Sequence, residues 1–308
     1  MSAGEAIKSK RIAVIMGGDS AERDVSLRTG EAVLEALIQR GYDAVAIDSA
    51  SRLTQQLIES GAEIAFIAVH GRHGEDGTLQ GLLEMMQIPY TGSGVLASAI
   101  AIDKDITKKM VASQLTIADS FLVDESSDIE ALCADCCHYP QVVKPVREGS
   151  TLGITIVNNR QELQQAITFA QTFDRRVLVE QFISGREVTV SVLLGEALPV
   201  IEVVPADGFY DYAAKYTAGT TQYIVPAEFS DTQYSELQRA AVTCCDSIGC
   251  RGAARVDFIV TEDQCYFLEV NTIPGMTKTS LLPKAAACSG IDFASLVESI
   301  VKDASLDR

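Results

Sequence analysis

Apolar positions along the chain follow two rhythms that alternate. Continuous apolar runs, RIAVIM (11 to 16), DAVAID (43 to 48) and IAFIAVH (64 to 70), read as strands buried on both faces. Between them, SLRTGEAVLEALIQRG repeats its apolar residues at three and four positions and stops at Gly41, and RLTQQLIES does the same on a shorter scale. TLQGLLEMMQ gives another helix and PYTG a short strand. Strands alternating with helices predict a parallel sheet with helices on its faces, here over residues 1–103.

A second region, 104–187, opens with the helical DITKKMVASQL. It continues through the strand QVVKPV, a Gly/Ser loop, the strand ITIV, a helix over 161–173 and the strand VLVEQFI. From residue 188 to 308 the chain turns strand-rich, with hairpins, a helix over 231–247 and a terminal helix FASLVESIVKDA. The fold class is therefore α/β, becoming α+β in the C-terminal part.

One hairpin carries polar residues where strands should be apolar. In RVDFIVTEDQCYFLEVN (255 to 271) a three-residue connection, Glu262 to Gln264, places Val256 opposite Val270, Phe258 opposite Leu268 and Val260 opposite Tyr266. The other face then holds Arg255 opposite Asn271 and Asp257 opposite Glu269. Carboxylates that close repel unless a cation or proton lies between them. Carboxylate and amide oxygens suit a hard cation such as Mg²⁺, which keeps waters and phosphate oxygens as its other ligands. A solvated hairpin face is the plain alternative; Ile259 and Phe267 oppose it, because that face turns apolar further along.

Composition narrows the ligand. Twenty-five Lys and Arg against 42 Asp and Glu leave a net charge of −17, which disfavours general binding to nucleic acid or an anionic membrane. An anionic ligand must be held locally, by a metal, a few basic side chains or helix N-termini. IAVIM is too short and too far in for a signal peptide, and LASAIAI (96 to 102) too short to span a bilayer, so a soluble, cytoplasmic chain is expected. The eight cysteines are irregularly spaced. CADCCH (133 to 138) contains a zinc-like C-x-x-C with His138, but no second C-x-x-C follows, and reduced structural thiols are expected instead.

Four loops carry candidate chemistry. GGDSAER (17 to 23) joins strand to helix where parallel sheets bind ligands, although Asp19 with Glu22 also spells a capping box. HGRHGEDGT (70 to 78) groups His70, His73, Glu75 and Asp76, either as metal ligands or, as expected, as a tight loop leading to a helix capped near Thr78. VVKPVREGSTLGI (142 to 154) sets Lys144 before Gly149, Ser150 and Gly153, a loop able to wrap phosphates without being a Walker A motif. The long, tyrosine-rich ADGFYDYAAKYTAGTTQY (206 to 223) reads as a lid, with Lys215 and Tyr216 able to reach an anion. No G-x-G-x-x-G occurs, which removes support for a dinucleotide oxidoreductase.

GGDSAERDVS, HGRHGEDGTLQGLLE, VVKPVREGSTLG, VLVEQFISGREVTV, FYDYAAKY, GCRGAARVDF and LEVNTIPGMTKTSLLP stand in one order from Arg11 to about Val301. Together they resemble the D-alanine–D-alanine ligases of the ATP-grasp superfamily. The resemblance implies an ATP-grasp fold behind an N-terminal parallel-sheet domain, and ATP-dependent joining of two D-alanines through a D-alanyl phosphate for peptidoglycan. It implies Lys104 and Lys144 on the ATP phosphates, Glu180, Gln181, Phe182 and Ile183 on the adenine, and Glu187 on the ribose. It implies two Mg²⁺ ions, or Mn²⁺, on Asp257, Glu269 and Asn271. Arg255 and the N–H of Gly275 would hold an oxyanion. Glu22 would meet the first substrate's ammonium, Ser280 and Leu281 the second one's carboxylate. Glu22, Ser150 and Tyr216 would close the lid that carries Lys215, and the family is usually homodimeric.

A Tyr at 216 goes with dipeptide formation in this family, whereas relatives making D-alanyl-D-lactate replace it. Departures at AA (253–254) and QF (181–182) fall where the family varies. A ligase with another acceptor such as D-lactate is the alternative within the superfamily. A regulatory protein that binds nucleotide without catalysis is the alternative outside it, and such a protein has no need of Glu22 and Arg255.

Overall fold

The computed structural model describes residues 7–136, 138–205, 221–277 and 279–307. In the first sheet β1 (Arg11–Met16) lies between β2 (Asp43–Asp48) and β3 (Ile64–Ile67), all parallel. Its continuous apolar run serves both faces. Ile12, Val14 and Met16 pack beneath α1 (Arg23–Gln39), while Ala13 and Ile15 pack toward α2 (Leu53–Ser60) and α3 (Thr78–Met85). β3 is shorter than its apolar run suggests, and PYTG forms no strand; Tyr90 makes only isolated bridges to Ala65 and Ser305.

α4 (Val95–Ile102) leads into α5 (Lys104–Val111), whose N-cap Asp103 accepts from the Ile106 N–H at 3.1 Å. β4 (Thr116–Ile117) then joins a large sheet from the C-terminal part of the chain. β5 (Ser120–Val123), α6 (Ile129–Asp135), β6 (Gln141–Pro145), β7 (Thr155–Val157), α7 (Arg160–Ala170) and β8 (Val177–Gln181) follow. Strands β5, β8, β6 and β7 pair antiparallel in that order.

β9 (Arg186–Leu193), with the short β10 (Glu196–Ala197), β11 (Ile201–Pro205), β12 (Thr221–Ile224), α8 (Asp231–Ile248), β13 (Ala253–Val260) and β14 (Cys265–Asn271) build the large sheet. Its order is β12-β11-β9-β13-β14-β4, with β10 on β9. Two helices close the chain, α9 (Leu281–Cys288) and α10 (Phe293–Lys302). α9 escapes the sequence reading because Pro283 sits in it, yet a first-turn proline removes only a donor that has no helical partner.

The hairpin keeps its expected register over half its length. Arg255 faces Asn271, Val256 faces Val270 and Asp257 faces Glu269. Beyond them a bulge shifts the pairing, so that Phe258 faces Phe267, Ile259 faces Tyr266 and Val260 faces Cys265. The expected Phe258–Leu268 and Val260–Tyr266 pairs do not form, and the connection is one residue longer, closed by Thr261 N–H to Gln264 O at 2.9 Å. The physical reason is the missing glycine, without which the tight three-residue loop is disfavoured. The bulge turns Phe267 into the core beside Phe258, and leaves Leu268 and Glu269 both on the wall of a cleft.

Candidate active site

Two cavities meet between the sheets. One, of about 290 Å³, lies among the first sheet's loops, the large sheet and the start of α9. The other, of about 450 Å³, lies between the large sheet and the four-stranded one. Glu187, Val203 and Glu269 line both, and so mark the junction.

Glu22 enters the smaller cavity from just before the first turn of α1. It occupies the N-cap position without a side-chain cap bond, so the capping-box use does not occur. Its carboxylate accepts instead from the Ser150 hydroxyl, 128 residues away. Gly71 and Gly149 make room for it, since a Cβ on either would come 2.8 Å and 3.0 Å from Glu22 Oε2. Behind Glu22, Arg23 pairs with Asp48 at 2.6 Å and donates to the Gly18 carbonyl at 2.7 Å, which fixes the Gly17–Gly18 turn. The Arg23 hydrogen bond outweighs partial burial and holds the Asp48 carboxyl down at about 2. Ser150 and Thr151 both take left-handed backbone, at φ 51° and 63°, a costly conformation for two successive residues that carry side chains.

HGRHGEDGT divides into three tasks. His70 and Glu75 are buried on the cavity wall. Asp76 accepts from the His73 and Thr78 N–H groups at the start of α3, as a tight loop requires, and His73 stays outside, 3.3 Å from Asp19. His70 Nε2 lies 3.0 Å from the Thr29 hydroxyl, and Glu75 accepts from the Gly71 N–H at 2.9 Å. Glu75 Oε1 is 3.7 Å from His70 Nδ1, too long for a hydrogen bond. Burial, with the charge of Glu22, raises the Glu75 carboxyl above its usual range despite the pull of His70.

The rest of this cavity comes from the C-terminal region. Arg255 grips Asp257 with two 2.9 Å hydrogen bonds. Gly275, Ser280 and Leu281 lie together at the α9 N-terminus, where Ser280 Oγ accepts from the Thr277 N–H at 3.1 Å. The larger cleft is lined by Lys104, Lys144, Glu180, Gln181, Phe182, Ile183 and Glu187, and by the apolar Ala118, Val142, Ile259 and Leu268. Lys104 Nζ lies 3.2 Å from Glu269 and donates to the Glu148 carbonyl at 2.7 Å. Glu180 is enclosed by Lys144 at 2.5 Å and Lys108 at 2.7 Å. Burial alone would raise the Glu180 carboxyl, but the two ammoniums outweigh it and hold it below its usual range.

The described residues among the sequence candidates therefore gather at two joined cavities, while Lys215 and Tyr216 lie outside the described residues. Lys108 was missed. Its position four residues after Lys104 puts it on the same helix face, which was the available signal. Asp257, Glu269 and Asn271 offer a hard-cation donor set. Among the described residues no three His, Cys, Asp or Glu side chains gather as a metal cluster; this set has two carboxylates and one amide. The donor chemistry suits a hard cation, but here Arg255 holds both Asp257 oxygens and Lys104 lies 3.2 Å from Glu269, so a bound ion would have to displace or share these basic partners. Cys133 packs in the core of the four-stranded sheet, and Cys137 lies outside the described residues.

Comparison with known proteins agrees with this geometry. The family model "D-ala D-ala ligase C-terminus" matches residues 110–302, and "D-ala D-ala ligase N-terminus" matches residues 48–93. The D-alanine–D-alanine ligase of Syntrophotalea carbinolica is 56% identical over 302 residues, 98% of each chain. That of Geotalea uraniireducens is 50% identical over 97% of each. The Bacillus anthracis D-alanine–D-alanine ligase superposes with a TM-score of 0.86 at 37% identity, covering 96% of this chain and 97% of that one. Its ATP complex gives 0.82 at 34% over the same shares. The VanG D-Ala:D-Ser ligase of Enterococcus faecalis gives 0.81 at 31%, covering 95% and 98%. This chain belongs to the D-alanine–D-alanine ligase family, an ATP-dependent ligase family of ATP-grasp fold, and ligation of D-alanine to D-alanine is the activity that membership carries.

Proposed function

We propose that the two cavities divide the reaction between them, ATP in the larger and two D-alanines in the smaller, with the γ-phosphate beside Glu269 where the cavities join. The observation that carries this reading is the meeting of an apolar-walled, lysine-bearing cleft with a charged pocket at Glu269. Gln181, Phe182 and Ile183 form the adenine edge with Glu180, Glu187 faces the ribose, and Lys104 and Lys144 face the phosphates.

A carboxylate resists attack because its charge is delocalised and oxide is a poor leaving group. Phosphoryl transfer to the first D-alanine gives D-alanyl phosphate, from which phosphate leaves readily, and Lys104 and Lys144 offset the charge that gathers during transfer. Asp257, Glu269 and Asn271 would hold two Mg²⁺ or Mn²⁺ ions, which supply electrostatic stabilisation of the phosphates when bound. Glu22 holds the first D-alanine's ammonium, with Ser150 fixing the carboxylate's orientation. The second D-alanine docks its carboxylate at Ser280 and Leu281, where the N-terminus of α9 borders the cavity. Its neutral amine then attacks the acyl carbon, and Arg255 and the Gly275 N–H stabilise the oxyanion. Lys215 and Tyr216, which lie outside the described residues, would complete the set by helping to keep water from the acyl phosphate.

No helix among the described residues is long and apolar enough to cross a membrane. The seven described cysteines are free, which supports a reducing, cytoplasmic setting. Exposed Met85 and Leu96, on the adjacent helices α3 and α4, supply apolar surface for a homodimer. The test is ATP consumption with D-alanine, L-alanine, or D-lactate plus D-alanine, with and without Mg²⁺, and product identification by mass. The expected outcome is Mg²⁺-dependent ADP release with D-alanyl-D-alanine and none from L-alanine. ATP binding without turnover would overturn the catalytic reading, and a D-alanyl-D-lactate product would overturn the acceptor.

A further inference from the structure

Behind the nucleotide wall three charged side chains are shut away from water: Lys108 is 3% exposed, Glu180 4% and Lys144 7%. Glu180 on β8 and Lys144 on β6 are diagonal neighbours, since Val142 pairs with Glu180 and Lys144 with Leu178. Lys144 lines the cleft, whereas Lys108 lines neither cavity. It comes from α5, one turn after Lys104, and lies 3.3 Å from the Phe267 carbonyl on the core side of β14. Its 2.7 Å approach to Glu180 brings a second ammonium to a carboxylate that Lys144 already meets at 2.5 Å.

With all three ionised, one carboxylate between two ammoniums leaves a net charge of +1; burial works against the Lys108 ammonium and Glu180 at 2.7 Å supports it. A pair made only of Lys144 and Glu180 would be neutral. We propose that Lys108 is a positioning residue for the nucleotide's phosphates: by taking up Glu180 Oε1 it leaves Lys144 with positive charge to offer the cleft. A buried net charge is costly unless it meets a counter-charge, and a triphosphate supplies one. Lys108 thus raises affinity for phosphates without touching them. The inference rests on the nucleotide reading of the larger cleft.

The test is a charge count on the full chain, with ATP and adenosine as probes by calorimetry and thermal melts as the folding control. Lys108→Met should weaken ATP binding by about tenfold or more, as loss of a close buried charge does. Adenosine binding and the KM for D-alanine should stay unchanged. Lys108→Met with Glu180→Gln restores the net +1 on Lys144; because Glu180 also sits at the adenine edge, the double variant's ATP affinity is read relative to its adenosine affinity, and that ratio should return most of the way to wild type. Lys108→Gln keeps a polar contact to Glu180 and loses only the charge, and is read in place of Lys108→Met should that variant not fold. Three results overturn the proposal: wild-type ATP affinity in the single variant, an equal loss for adenosine, or a double variant whose ATP-to-adenosine affinity ratio is no better than the single's. A wild-type chain that binds no ATP overturns the nucleotide reading itself, a result distinct from all three.

Discussion

Glu75 and Glu180 are both buried carboxylates on cavity walls, and their electrostatics differ in sign. Glu180 stands between two ammoniums and ionises more readily than a free glutamate. Glu75 has a histidine at 3.7 Å and Glu22 nearby, and ionises less readily. Burial pushes both the same way, so the partners decide. The comparison also separates the two cavities. The nucleotide wall is pre-charged for an anion by a fixed ion cluster. The amino-acid wall instead sets two carboxylates, Glu22 and Glu75, on one cavity, and burial with the charge of Glu22 raises the Glu75 carboxyl.

The largest effect is expected on the nucleotide side. Glu180→Gln leaves Lys108 and Lys144 buried together with no anion between them, a change that costs about 3–5 kcal/mol of stability at neutral pH. Because the Glu180 carboxyl is depressed in the folded chain, its stabilisation is present above its ordinary value of 4.5 and lost as pH falls below it. The gap between variant and wild type should therefore narrow in acid. Urea unfolding at several pH values measures it. A gap that stays constant with pH would mean that packing, not charge, holds the cluster.

Glu75→Gln should behave in the opposite sense and on a smaller scale. The raised carboxyl stabilises the fold fully below 4.5, and that contribution declines as pH rises through its folded value. Glutamine removes the ionisation and keeps an acceptor for the Gly71 N–H. The variant should lie within about 1 kcal/mol of wild type at neutral pH and gain on it as pH rises. Its KM for D-alanine should shift while its KM for ATP does not. A variant that loses stability as pH rises would break the contrast between the two carboxylates.

How much of this was legible depended on whether a signal was local. The β1 to β3 sheet follows from continuous apolar runs, and the pairing of Asp257 with Glu269 follows from period-two alternation. The bulge at Phe258 follows only in part: the missing glycine disfavours the three-residue loop, but the advantage of sending Phe267 to the core exists only once Phe258 and α8 are in place. The placement of Glu22, Ser150 and Glu180 was reached through the order of motifs. Glu22 and Ser150 lie 128 residues apart, and no spacing rule joins them. Lys108 was hidden for a related reason. Its spacing from Lys104 marks a shared helix face, but only the tertiary fold buries it against Glu180.

The smallest effect tests whether the amino-acid side depends on its outer supports as the nucleotide side depends on its ion cluster. Asp48 and Arg23 are each about two-fifths exposed, at 41% and 39%, so water screens much of their attraction. Asp48→Asn should then cost less than about 1 kcal/mol. The depressed Asp48 carboxyl makes its contribution above the ordinary 3.8, and that contribution disappears as pH falls toward about 2. Its position counts for more than its energy, because Asp48 also accepts from the Gly18 N–H at 3.3 Å and abuts Gly17 in the turn that precedes Glu22. A looser turn lets Glu22 wander from the site of the ammonium. The KM for the first D-alanine should rise several-fold while the KM for ATP holds, as expected when positioning is lost at one substrate only. Equal movement of both KM values would show that the Gly17–Gly18 turn serves the whole interface between the cavities and not Glu22 alone.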